Sequence, residues 1–170
     1  MRRRVFLILL MLFSAQYIHA EVPQINGAFG IKLGDEPDKK YIPEQIPTKI
    51  GQLYFIDPPI KNDHFNEYAV LVTFRTNKIF RIYAEKEQTT ASCKEELTKL
   101  RTSLETIYGK VTEKDSIYMV KQKEKEIQLT CKVSEINNKD ASLQIKYIDH
   151  QVYKDGLEIN DSKSNDARGL

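Results

Sequence analysis

One stretch of this chain carries a continuous helical stripe, and its surroundings follow a different period. Cys93, Leu97, Leu100, Leu104 and Ile107 recur at spacings of four, three, four and three. That rhythm lines one face of an α-helix. Ser92 with Glu95 has the pattern of a capping box, which satisfies amide donors in the first turn. Gly109 follows as a stop that adopts a positive φ at little cost. The sequence therefore predicts a helix over residues 92–108.

On both sides of that helix the apolar period is two. Val70, Val72 and Phe74 alternate with Leu71 and Thr73, and Thr76-Asn77 reads as a turn. Phe80, Ile82 and Ala84 then share one face of a returning strand, so residues 67–85 predict a hairpin. Apolar residues on both of its faces suit a central place in a sheet. After the helix, Ser116–Val120 begins a second strand group, and the charges of Lys121–Glu126 mark a solvated hairpin tip. Ile127, Leu129, Cys131 and Val133 alternate, Asn137–Asp140 is a turn, and Leu143, Ile145 and Tyr147 form another alternating set. Near the amino end, Phe29, Ile31 and Leu33 suggest a short strand bent by Gly27, Gly30 and Gly34. Strands, one helix and more strands, joined by short connections, imply an α+β fold. The expectation is a single antiparallel sheet of about five to seven strands with one α-helix packed on one face. Its other face must be solvated, covered by a proline-rich segment, or used for binding.

Residues 1–20 are set apart by composition. Arg2, Arg3 and Arg4 precede the unbroken apolar run Val5–Phe13, and a more polar stretch ends in Ala20. This is the layout of a secretory signal peptide cleaved after Ala20. The run is too short for the roughly 20 apolar residues of a membrane span. The short, arginine-rich leader points to a bacterial exporter and a periplasmic or secreted protein. Residues 21–153 would then form a single α+β domain, with 154–170 a flexible polar tail. Asn160-Asp161-Ser162 is a glycosylation sequon, which matters only in a eukaryotic secretory pathway.

The leader also changes the charge balance. Of 26 basic residues, three lie in it, leaving 23 against 24 acidic side chains. A near-neutral body lacks the clustered basic face that nucleic-acid binding requires. Export likewise decides how the two cysteines are read. In an oxidising compartment Cys93 and Cys131 are expected to pair. One lies on the helix stripe and the other on a strand's apolar face, so their bond would tie helix to sheet.

The segment from Glu36 to Ile60 contains Pro37, Pro43, Pro47, Pro58 and Pro59. Proline removes amide donors and steers its predecessor away from helix, so the segment is extended or turning. Leu53–Ile56 is a candidate short strand. Tyr41, Ile42, Ile46 and Ile50 are too apolar for an idle loop. They either cover the sheet or offer an anchor strip to a partner.

Chemistry-bearing motifs are sparse. His64 and His150 each follow an aspartate, but neighbours on a strand point oppositely, so neither dipeptide builds an acid-oriented base. There is no nucleophile elbow, zinc-protease helix motif, calcium loop or phosphate loop. No cofactor, metal or catalytic residue is expected. The sequence favours an exported, non-enzymatic protein that binds another macromolecule, as an inhibitor, immunity factor or envelope-assembly accessory does. A small apolar-ligand carrier is the alternative, and a small hydrolase a weaker one.

Overall fold

The computed structural model describes residues 22–38 and 45–157. The leader, Tyr41, Ile42 and the sequon lie outside the described residues.

The amino-terminal glycines build a hairpin rather than one bent strand. β1 (Gly27–Ala28) pairs with β2 (Ile31–Lys32) across a turn at Phe29 and Gly30, whose φ values are 55° and 78°. Two successive positive φ angles match the right-handed twist of a tight hairpin. Glycine is also required at position 30 by space, because a Cβ there would lie 2.9 Å from Pro59 Cβ.

The main sheet is built from two meanders. The first comprises β3 (Gln45–Pro47), β4 (Gln52–Phe55), β5 (Glu67–Val72) and β6 (Ile79–Thr89). α1 (Thr90–Tyr108) follows, and then β7 (Thr112–Lys114), β8 (Ile117–Gln122), β9 (Lys125–Val133) and β10 (Asp140–Asp149). β10 pairs with β6, so the order is β3-β4-β5-β6-β10-β9-β8-β7, antiparallel throughout. The chain then forms a short helix, α2, over residues 150–157.

The α+β class and the antiparallel sheet agree with the sequence reading, while the counts differ. The sheet has eight strands rather than five to seven, and α2 joins α1. β7 escaped notice because Thr112–Lys114 is polar and fully exposed, so no apolar alternation marks it. A turn at Asp115 and Ser116, with φ values of 51° and 62°, folds it onto β8. α2 extends through residue 157, past Lys154, where the sequence reading began a polar tail. Its start is fixed by Asp149, whose Oδ1 accepts from the amides of Gln151 and Val152, each at 3.0 Å. That is the geometry of a helix N-cap.

α1 also begins earlier than its sequence pattern suggests. Thr89, not Ser92, is the cap, and its side chain accepts from the Ser92 amide. The stripe turns at its far end: Cys93 and Leu104 are buried, Leu97, Leu100 and Tyr108 are packed against the core, and Ile107 is 47% exposed. The spacing of four from Leu104 to Tyr108 keeps the stripe on the sheet.

Register places the core on one face. Val70 opposes Ile82, Ala84 opposes Ile145, Ile145 opposes Leu129, and Ile127 opposes Val120. All seven are at most 3% exposed. α1 packs over β6, β8, β9 and β10. The β1–β2 hairpin covers the neighbouring part, where the Phe29 ring meets Phe65, Tyr68 and Tyr147 edge-on, with centroids 5.1–6.1 Å apart. Burial raises the Tyr147 hydroxyl pKa well above its ordinary value. Cys93 and Cys131 are joined across this covered face.

A β-bulge in β6 decides what the opposite face carries. Leu71 pairs with Arg81 and Val72 with Ile79, leaving Phe80 unpaired. An extra residue shifts the alternation by one. Ile79, Ile82 and Ala84 therefore serve the core, while Phe80 and Arg81 turn together to the other side. Phe80 does not share a face with Ile82 and Ala84, as simple alternation implied. It packs instead on Tyr153 of α2, with ring centroids 4.9 Å apart. Gly156 of α2 sits against Thr73, where an added Cβ would lie 2.5 Å from Cγ2.

Candidate functional site on the open face of the sheet

The face opposite α1 is not a mirror of the core face. Its first zone is apolar and lies at the β3 edge. Ile46 opposes Leu53, and Phe55 follows two residues later on the same side. Ile46 is 43% and Phe55 40% exposed, with Leu71 and Ala69 buried beside them on β5. This strip exists because β4 carries apolar residues on both faces, Tyr54 inward and Leu53 and Phe55 outward.

The second zone is cationic and aromatic. Arg81 and Tyr83 project from β6, and Lys146 projects from β10 opposite Tyr83. The three are half-buried. Lys146 Nζ lies 5.9 Å from the Tyr83 ring centroid, and Arg81 Cζ lies 5.8 Å from that of Phe80. Burial lowers the pKa of Lys146, and the neighbouring Arg81 charge lowers it further. Burial likewise lowers that of Arg81. Arg81 Nε is buried and has no hydrogen-bond partner among the described residues.

The third zone is a polar groove of about 990 Å³ over β6, β10 and β9. Glu85, Ser142, Gln144 and Lys132 lie along it, and the 95%-exposed Ile136 stands at its rim. Ser142 Oγ donates to Glu85, and Gln144 Nε2 lies 3.3 Å from the same carboxylate. Glu126, on the same face but buried, accepts from Gln128 and lies 3.7 Å from Lys121 Nζ and 3.5 Å from His150 Nε2.

The residues singled out from sequence divide. Ile46 stands in the exposed strip. Ile50 lies in the turn after β3, half-buried, with its amide on Thr48 Oγ1 at 3.3 Å. Tyr41 and Ile42 lie outside the described residues. The members that reading missed, Phe55, Arg81, Tyr83 and Lys146, were marked in the sequence. Arg81, Tyr83 and Lys146 are the alternate positions of strands whose other positions were read as buried, and Phe55 lies within the candidate strand Leu53–Ile56.

The histidines sit apart, each beside a glutamate. His64 Nδ1 lies 4.0 Å from Glu96 Oε2, and the Glu96 carboxylate also meets Gln88 and Lys86. Asp149 is occupied in capping α2 rather than orienting His150. Among the described residues, no three His, Cys, Asp or Glu side chains converge to hold a metal ion. On the core side, a pocket of about 220 Å³ separates the β1–β2 hairpin from the sheet. Ile31, Ile56, Val70 and Ile79 line it, with Asp35 and Glu36 also on its wall.

No protein-family model matches the chain, and no curated protein or solved structure is significantly similar to it. No helix among the described residues is long and apolar enough to cross a membrane.

Proposed function

We propose that this is an exported protein, periplasmic or secreted after loss of residues 1–20, that acts by binding another macromolecule. Its role would be that of an inhibitor, immunity factor or envelope-assembly accessory, with no catalytic step. The observation that carries this reading is the asymmetry of the sheet. One face is sealed by α1 and the β1–β2 hairpin, whereas the other exposes Ile46 and Phe55 around a half-buried Leu53, beside Tyr83 and two cations. Large apolar side chains grouped on a surface are a liability without a ligand. Aromatic and arginine side chains are also enriched in protein interfaces. The disulfide suits an oxidising compartment. A carrier of apolar small molecules ranks second, since a 220 Å³ pocket falls below the roughly 300–1,000 Å³ of ordinary ligand sites.

The test compares the chain from Glu21 onward with its Phe55→Asp variant. Both are immobilised and exposed to envelope extract from the source cell. The expected result is a protein retained by the first and lost by the second, with both equally stable to heat. Identical retention by both, or none by either, overturns the reading.

A further inference from the structure

Two cations on the open face lack what buried charges require. Arg81 and Lys146 are diagonal neighbours on adjacent strands, since Arg81 opposes Ile148 and Tyr83 opposes Lys146. In that register the two residues are about 7–8 Å apart, and somewhat closer at Cβ. No carboxylate among the described residues lies within 4.0 Å of either. The two acids nearest in the register are committed elsewhere. Glu85 is held by Ser142 and Gln144, and Glu126 by Gln128, Lys121 and His150. A desolvated cation without a counter-ion is costly, and an orphaned buried donor such as Arg81 Nε calls for an explanation. Burial is the first cause of the lowered pKa of both groups, and the more distant charges of Glu126 on Arg81 and of Glu85 on Lys146 offset it only in part.

We infer that Arg81 and Lys146 form the receptor for a carboxylate on an extended segment of a partner protein, whose apolar side chain seats on Leu53 and Phe55. This deepens the partner-binding reading above and rests on it. Guanidinium and ammonium groups side by side suit a carboxylate, with the arginine giving paired hydrogen bonds and the lysine a point charge. Spacing narrows the partner further. Phe55, Ala69, Tyr83 and Lys146 are successive register neighbours on β4, β5, β6 and β10. Three strand spacings make about 14 Å, which an extended chain covers in about four residues. The recognised segment therefore carries an acid about four residues from an apolar anchor. The Tyr83 ring lies between the two ends of that path.

The experiment is a ¹⁵N NMR titration of the chain from Glu21 onward with the amidated peptide Ac-Leu-Ser-Thr-Ser-Glu. Controls are the same peptide ending in Lys, and sodium phosphate. The expected result is saturable shifts at the amides of Phe55, Arg81, Tyr83 and Lys146 with the acidic peptide alone. Arg81→Gln and Lys146→Gln, made separately because Arg81 is the more buried, should each weaken binding at least tenfold. Equal shifts with the lysine peptide, equal shifts with phosphate, or no shifts overturn the inference. So does a peptide-free spectrum in which either variant moves resonances of residues 158–170, which would make the chain's own end the occupant. Shifts at these amides on simple concentration would assign the face to a second copy and overturn it equally. Should the inference fail while Phe55→Asp still abolishes retention from extract, partner binding stands and only the carboxylate receptor falls.

Discussion

Cys93 on α1 and Cys131 on β9 are bonded across the covered face of the sheet, with Cα atoms 5.9 Å apart and a separation of 38 positions in sequence. Cys93 is fully buried, so the bond runs through the core where helix meets sheet. Closing a loop of that length restricts the unfolded chain, which stabilises the fold by about 4 kcal/mol in the chain-entropy model. Reduction, or Cys93→Ser with Cys131→Ser, should lower the melting temperature by about 10 °C. Calorimetry with and without reductant checks this, and alkylation without reductant should modify neither sulfur.

Lys146 lowers stability at neutral pH. Its pKa in the folded protein is below the ordinary 10.5, chiefly through burial and then through the Arg81 charge. The unfolded chain thus holds this proton more tightly. Well below the folded pKa both states are charged and the penalty is full. As pH rises through the folded value towards 10.5, the folded protein sheds the proton first and the penalty is relieved. Lys146→Met should stabilise the protein at pH 7, by less than about 1 kcal/mol because solvent screens a half-exposed charge. The advantage over the unaltered protein should shrink as the pH rises through the lowered pKa towards 10.5. Urea melts at several pH values decide it.

Phe80 is the residue that the bulge hands to α2. It is 1% exposed, and its ring packs on Tyr153. Phe80→Ala should cost about 3–5 kcal/mol. Hydrogen exchange should show residues 150–157 losing protection first, since α2 has few other anchors. Uniform loss across the sheet would mean that α2 is not held through this contact.

Gly156 tests the same docking from the other side. Alanine is the better helix former by about 1 kcal/mol. Yet its Cβ would stand 2.5 Å from Thr73 Cγ2. Gly156→Ala should therefore destabilise the protein despite its propensity. Thr73→Ser removes that methyl while keeping the hydroxyl that bonds Thr76. Combined with Gly156→Ala it should restore only part of the lost stability, because Thr73 Cβ would still lie 2.7 Å from the added carbon; a double-mutant cycle measures the share recovered.

Exposed members of the apolar strip should tolerate change. Ile46→Ser and Phe55→Ser should each alter stability by no more than about 0.5 kcal/mol. Thermal melts of the two variants provide the measurement, and a large loss would show that the strip supports the fold instead.

What was legible in the chain is what periodicity encodes. The α1 stripe, the 67–85 hairpin and the 127–133 alternation each announced an element and its buried face. Their combination placed Cys93 and Cys131 close enough to bond. The unread parts obey local chemistry that leaves no apolar rhythm. β7 is all polar. α2 is set by a single cap, Asp149, whose neighbour His150 drew the eye to acid–base chemistry instead. The bulge at Phe80 depends on how Val72 and Ile79 pair across strands, which no window along one strand can contain. Arg81, Tyr83 and Lys146 were visible as polar alternates. Their convergence, and the absence of ion pairs for the two cations among the described residues, emerged only once β10 lay beside β6.

That placement of β10 has a consequence for biogenesis. Among the described strands β10 is the last in the chain, yet it lies fifth of the eight, between β6 and β9. Until β10 is in place, the two meanders are incomplete sheets, one ending in an unpaired border of β6 and the other in an unpaired border of β9. Such borders are templates for misassembly. Vectorial production therefore leaves a window, closed only when the final strand zips the halves together, in which a holding chaperone would shield the same two borders.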